Sequence, residues 1–416
     1  MTITKLGRLL LLIVAIGSFP VFSQNAPVPL LKKSHAVDWW FVFKLNSGTF
    51  PNCANTATRA CLFGGTVQKY KPSFGQQFVY ASSENGSLQM GSGCAGDTVE
   101  DPIGATFEQV YNGSFYYVLW NDQFYNDPIK SQSGTWGHSK GMLAWNDAGE
   151  GFVMQVSTPS WPAAGNKASP RKTDGNTLGC VKDNDVLVSQ HFFALKLTKS
   201  DLVQVLGALQ NASVLTDPKV AQLVRNGGPP DVQKLVGALG VKSKDDNVTL
   251  YKLSSGVQVI SKPSELNVPP WQMVSATLGG VPLRAATWWM KPAIYSTTAS
   301  TKIGCWDSSL GKPGAVEIAT TGHWGAIEIG LTGGSGPNFN HAKIGVSTST
   351  GDHYSIFGDM NQQGAVSRTK VPKDPKCDSS QNGRGGLFYV IGDTKLFASV
   401  KALISGETAP TKAPKK

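Results

Sequence analysis

Short runs of β-branched and aromatic residues recur along this chain, separated by clusters of Gly, Pro, Ser and Asn and interrupted by a few stretches of helical period. Val37 to Leu45 is apolar at nearly every position, the pattern of a strand covered on both faces. Phe115 to Trp120, Gly141 to Trp145, Phe152 to Val156 and His191 to Leu197 read as further strands, and Ala105 to Tyr111 as a short helix. Thr198-Lys199-Ser200-Asp201 supplies a helix cap, and Leu202, Val205 and Leu206 follow at helical spacing. Val232, Leu235, Val236 and Leu239 predict a second helix. Strands mixed with helices throughout predict a mixed α/β fold. Pro159 to Thr177 and Leu310 to Asn340 follow neither period and are expected as loops bordering a site.

One hairpin pattern occurs twice. His138-Ser139-Lys140 runs into an apolar strand, a turn at Asn146-Asp147-Ala148-Gly149 and a second strand; His341-Ala342-Lys343 runs into Ile344 to Val346, a turn through Ser349 to Asp352 and His353 to Phe357. Residues two apart on an extended chain share a face, so each copy presents an imidazole beside an ammonium. A single His-x-Lys is an ordinary occurrence on an exposed strand. Its repetition in matching context predicts two similar halves that meet at one site.

Lys5 and Arg8, the apolar run Leu9 to Ile16 and Val21-Phe22-Ser23 have the order of a secretory leader with cleavage after Ser23. Its loss lowers the formal charge from +10 to +8, still a basic surface suited to polyanions. Six cysteines in an exported chain predict disulfides. Cys53 with Cys61 and Cys305 with Cys377 are the expected pairs, while Cys94 and Cys180 stay unassigned. Asn85, Asn112, Asn211 and Asn247 begin glycosylation sequons.

Other motifs carry less. Gly91 to Gly96 fits G-x-G-x-x-G, but no helix opens after it and Cys94 stands inside. Gly137-His138-Ser139-Lys140-Gly141 fits G-x-S-x-G, yet strand follows where that serine elbow needs a helix. A metal site from His138, His341, His323 and His353 is disfavoured by the lysine beside each motif histidine. Two His and two Lys do suit phosphodiester hydrolysis. Lysines neutralise the nonbridging oxygens, one imidazole attacks phosphorus, and the other protonates the leaving oxygen.

These residues resemble the deoxyribonuclease II family. Val37-Asp38-Trp39, Tyr117 to Gln123, Gly137 to Gly141, Ser157 to Pro162, Thr177 to Cys180, Thr287-Trp288, Asn340 to Lys343, Gly358 to Asn361 and Arg384 to Gly386 match its segments in order. The family's histidine before the Ser157 segment is here Val156, and the cysteine before its Gly-Asp-Met-Asn is Ile356. The resemblance implies a phospholipase D-like pseudo-dimer, each half a central sheet flanked by helices, and acid, metal-independent DNA cleavage through a phosphohistidine that leaves 3′-phosphates. It places the catalytic roles on His138, Lys140, His341 and Lys343 and implies no cofactor. Asn361, with Ser157 as its counterpart, is expected to bind phosphate oxygen; Asp359 is expected to orient an imidazole or cap a turn. Trp39, Trp40, Trp288 and Trp289 are expected in the core.

The resulting organisation is a leader at 1–23, halves at 24–210 and 211–405, and a disordered basic tail at 406–416. The expected partner is double-stranded DNA, with a homodimer open, and the expected location is secreted or periplasmic, or lysosomal in an animal. The competing readings are a phospholipase D-type lipid phosphodiesterase and a catalytically silent basic DNA-binding protein.

Overall fold

The computed structural model describes residues 25–53, 61–65, 76–132, 134–162, 165–172, 175–181, 186–367 and 376–411. The expected leader lies outside them, as does 412–416 of the expected tail.

A ribbon of β1 (Leu30–Lys32) and β2 (His35–Ala36) leads into β3 (Trp39–Lys44), β4 (Phe78–Ser82) and β5 (Gln89–Met90). Helix α1 (Pro102–Tyr111) follows, then β6 (Tyr116–Asn121), β7 (Lys140–Trp145), β8 (Gly151–Val156), β9 (Gln190–Leu197), α2 (Lys199–Asn211) and β10 (Val224–Arg225). Strands β3 to β10 form one antiparallel sheet in the order β10-β6-β7-β8-β9-β3-β4-β5. After α3 (Pro230–Gly237) come β11 (Thr249–Lys252), β12 (Gln258–Lys262), α4 (Pro270–Thr277), β13 (Leu283–Ala286) and β14 (Val316–Ile318). A ribbon β15 (Thr321–Trp324) and β16 (Ile327–Gly330) precedes β17 (Ile344–Ser347), β18 (Ser355–Gly358), β19 (Gly386–Ile391) and α5 (Thr394–Leu403). The second sheet runs β11-β12-β19-β18-β17-β13-β14. The run β6-β7-β8-β9-β3 in the first sheet and β13-β17-β18-β19-β12 in the second follow the same order, and each places a His-x-Lys strand second.

The strands of the second sheet divide their side chains with period two between two cores. Leu387, Tyr389, Ile391 and Phe357 face the core that the sheets share, while Phe388, Val390 and Ile356 face the other side, where Trp271 of α4 meets Phe388 at 5.4 Å. Between the sheets, Phe41 stacks on Phe357 at 4.4 Å, and Phe193 reaches Phe357 at 4.8 Å. All six residues of β3 are buried, as its double-sided apolar run predicts. Helix α2 starts at the expected cap: Thr198 and Asp201 bond reciprocally as a capping box. Helix α1 is capped by Asp101, which accepts from the backbone of Ile103 and Gly104; burial raises its carboxyl to about 6.

The expected loop at Leu310 to Asn340 contains β14, β15 and β16, whose short strands are too interrupted by glycine to show a period. The expected tail is bound at its start: Ala409 is buried and donates to Ile318 O at 2.8 Å, and Arg284 holds the carbonyls of Gly406 and Glu407. The Asn211 sequon is 5% exposed, and its side-chain amide bonds Ser261, which leaves no room for a glycan. Cys305 pairs with Cys377 as expected, but Cys53 pairs with Cys94 and Cys61 with Cys180. Sequence proximity suggested Cys53 with Cys61; the fold instead brings together residues 41 and 119 apart.

Long loops lose the most unfolded-state entropy on cross-linking, so the double variant Cys61→Ser/Cys180→Ser should lower unfolding free energy by about 2–5 kcal/mol in urea titration. An unchanged midpoint would show that this bridge adds nothing.

Candidate active site

The two His-x-Lys segments end up in one buried place. His138 is 6% exposed and His341 7%, and the ammoniums of Lys140 and Lys343 are buried beside them. His138 donates its backbone N–H to Gly385 O at 2.8 Å, just ahead of β19; His341 donates its own to Ser189 O at 2.8 Å, just ahead of β9. Each segment is therefore tied to the opposite sheet. Residue 385 must be glycine, because a Cβ there would come within 2.0 Å of Ala212 O.

The rings are held in the same reciprocal way. His138 Nδ1 lies 2.7 Å from Asp359 O, one residue past β18, and His341 Nδ1 lies 2.8 Å from Ser157 O, one residue past β8. A carbonyl only accepts, so Nδ1 carries the proton in both rings and each Nε2 is left with its lone pair. Ser157 and Asp359 thus occupy equivalent positions and act through their main chains. Their side chains turn elsewhere: Ser157 Oγ donates to Gln190 Oε1 at 2.6 Å, and Asp359 Oδ1 accepts from Gln155 Nε2 at 2.8 Å. Asn361, expected as the counterpart of Ser157, donates its amide to Gln363 Oε1 at 3.0 Å.

The lysines differ. Lys140 Nζ meets Asp122 Oδ1 at 2.5 Å, and the other Asp122 oxygen accepts from Arg384 at 2.9 Å. Arg384 also donates to the carbonyls of Trp136 and Gly137, which fixes the approach to His138. Burial pushes the Asp122 carboxyl up, but the charges of Lys140, His138 and Arg384 outweigh it and hold it well below the usual carboxylate range. Lys343 Nζ donates to His341 O at 2.6 Å and lies 3.0 Å from His341 Nδ1 and 3.4 Å from its Nε2.

Burial first, and then the neighbouring lysines, hold both imidazoles well below their ordinary value. Lys343 acts on His138 and Lys140 on His341, so the four groups share one field. Against this, the Asp122 carboxylate favours the charged form of His138, and the hydrogen bond to the Ser157 carbonyl favours that of His341.

Sequence reasoning placed Asp122 in a matching segment without assigning it a role, and gave none to His191 or Gln155. His191 Nδ1 accepts from the Lys343 backbone at 3.1 Å, its Nε2 faces Gln155 Oε1 at 3.4 Å, and Gln155 donates to Asp359. This chain of polar groups links the two motifs. The ordered match at Asn121-Asp122-Gln123 and Arg384-Gly385-Gly386 was the available signal for the Asp122–Arg384 brace; nothing local marked His191. Ser139 is buried and its Oγ accepts from Trp120 Nε1 at 2.9 Å. His323 instead lies by Ser405 O and His353 against Phe397. Among the described residues no three His, Cys, Asp or Glu side chains gather as a metal-ligand set.

The sequence model of the family described as deoxyribonuclease II matches residues 30–370. This chain belongs to the deoxyribonuclease II family. Cell-death-related nuclease 7 of Caenorhabditis elegans is 27% identical over 154 residues, 36% of this chain and 35% of that protein. Deoxyribonuclease-2-alpha of Rattus norvegicus is 27% identical over 155 residues, 35% of this chain and 38% of that protein. A bacterial relative from Burkholderia pseudomallei, also named a deoxyribonuclease-2, is 24% identical over 160 residues, 37% of this chain and 40% of that protein. The matched part thus spans between 35% and 40% of these curated relatives.

Burial raises the Asp359 carboxyl to about 7, against hydrogen bonds from Ser139 and Gln155 and the charges of Lys140 and Lys343. The folded state therefore keeps a proton that the unfolded chain releases near about 3.9. The resulting stabilisation is full below that pH and is lost as pH rises towards about 7. Asp359→Asn should consequently stabilise the fold more at pH 8 than at pH 4.5, its effects on the unfolding free energy from urea titration differing by a few kcal/mol at about 1.36 kcal/mol per unit. Equal effects at both pH values would contradict a protonated Asp359.

Proposed function

We propose that this chain is an exported endonuclease that hydrolyses DNA phosphodiester bonds without a metal ion and leaves 3′-phosphate and 5′-hydroxyl ends. The observation that most supports this reading is the pair of buried imidazoles, each held at Nδ1 by a carbonyl of the opposite half and flanked by two lysines, in a deoxyribonuclease II family chain. In this reading the two sheets with their matching strand orders are the halves of a phospholipase D-like pseudo-dimer, and the site lies on the axis between them.

The electrostatic asymmetry suggests the roles. Asp122 stabilises an imidazolium at His138, which suits an acid, and the two lysines disfavour one at His341, which suits a nucleophile. His341 Nε2 attacks phosphorus, the P–O5′ bond breaks, and O5′ takes the proton from His138 Nε2. A phosphohistidine esterified to the 3′ oxygen of the upstream fragment results, and the downstream fragment leaves with a 5′-hydroxyl. His138, now neutral, deprotonates water, which attacks phosphorus and breaks the P–N bond. Lys140 and Lys343 offset the charge on the nonbridging oxygens through both steps.

An activated leaving group needs no acid. His138→Ala should therefore lose about 10²- to 10⁴-fold on plasmid DNA yet still release one equivalent of p-nitrophenol in a fast burst from a p-nitrophenyl ester of thymidine 3′-phosphate before stalling, whereas His341→Ala should show neither burst nor turnover. The reverse pattern would exchange the roles, and two active single variants would refute a shared site. Plasmid nicking should persist in EDTA; loss with recovery on adding Mg²⁺ would refute the metal-free mechanism.

Because both imidazoles titrate below the ordinary value, the singly protonated pair exists only in acid, and the rate should peak below about pH 6.5 at fixed ionic strength. An alkaline optimum would exclude a protonated histidine from the reaction.

A further inference from the structure

The two motifs stand in matching sheets, yet what faces them differs. In the first sheet Asn121 pairs with Lys140, so Asp122, one residue on, stands opposite Ser139. In the second sheet Ala286 pairs with Ile344, so Trp288, two residues on, stands opposite Ala342. The position that holds the carboxylate brace of Lys140 in one half therefore holds an indole in the other. Trp288 lies edge-on to His341, with ring centroids 4.8 Å apart at 73°, and it is only half-buried.

Two further apolar side chains open to solvent nearby. Phe339, two residues before His341, is 38% exposed, and Met290, two residues after Trp288, is 42% exposed. Between them passes Gly333-Gly334. A Cβ at Gly333 would fall 2.6 Å from Trp289 N and 3.2 Å from the Trp288 carbonyl carbon, and one at Gly334 would fall 2.5 Å from the Phe339 ring. The missing side chains let the loop close down, so that Trp288 and Phe339 border the same mouth. Large aromatics left exposed beside a buried polar site are unusual, because their burial elsewhere would stabilise the fold. A nucleobase offers a flat ring of matching size, and stacking accepts any base.

We propose that Trp288 and Phe339 form a stacking shelf for the nucleobase next to the scissile phosphate on the His341 side. The inference rests on the nuclease reading above and adds to it which part of the substrate the second half grips.

Trp288 could instead serve only to orient His341, and the test separates the two. The substrates are oligonucleotides with one cleavable phosphodiester among methylphosphonate linkages, flanked either by normal nucleotides or by tetrahydrofuran abasic residues. Wild type, Trp288→Ala and Trp288→Phe are compared by kcat/KM, with circular dichroism and urea midpoints to verify folding. With bases present, Trp288→Ala should lose about ten- to a hundredfold, the range of one stacked base, and Trp288→Phe should retain most of the activity. On the abasic substrate wild type and Trp288→Ala should be equal. Equal losses on both substrates would reduce Trp288 to an orienting role and overturn the shelf, as would no loss on either. If wild type cleaves neither substrate nor plasmid, the nuclease reading itself fails.

Discussion

Four hydrogen bonds that cross between the sheets govern this molecule. Each His-x-Lys segment gives its histidine N–H to a carbonyl ahead of the fourth strand of the opposite run, and each imidazole gives Nδ1–H to a carbonyl just past the hairpin of the opposite sheet. Neither sheet can set its own histidine. The tautomer, the direction of the free Nε2 and the burial that lowers both rings follow from the way the sheets dock, and that docking is fixed by the aromatic layer of Phe41, Phe193, Phe357 and Tyr389. A residue in that layer can thus affect the site without touching it.

The reciprocity is a property of the backbone, and the asymmetry belongs to the side chains. Asp122, bound by Lys140 and Arg384, neutralises part of the charge on the His138 side, while His341 has an aromatic neighbour, Trp288. Identical imidazole anchors in unequal fields are what a pair of opposite protonation states requires. Asp359 adds a second asymmetry: its carbonyl repeats that of Ser157, but its carboxyl is held protonated by burial up to about 7.

The sequence showed the fold best where local pattern and tertiary demand agree. The apolar run of β3, the cap at Thr198 and the two hairpins follow from periodicity and capping alone. The disulfides of Cys53 and Cys61 depend on distant approaches that spacing does not encode, and β14 to β16 are short strands dense in glycine. In the site, the repeated tripeptide placed both imidazoles and both ammoniums. It did not reveal that Ser157 and Asp359 act through carbonyls, because main-chain groups leave no residue signature. His191 was invisible for a related reason: it acts from an apolar strand, where its neighbours suggest only core. Trp288, expected among core aromatics with Trp39 and Trp40, lies half-buried against His341 instead.

The central claim is one site in which the second histidine forms a covalent bond to phosphorus while the first moves protons. Phosphohistidine survives alkali and an activated leaving group needs no acid, so a radiolabelled p-nitrophenyl ester of thymidine 3′-phosphate mixed with His138→Ala, quenched in base and digested with protease, provides the most direct measurement. The account predicts a labelled peptide that contains His341, formed without added metal and absent from His341→Ala. Label on no peptide, or on a peptide lacking His341, would contradict it.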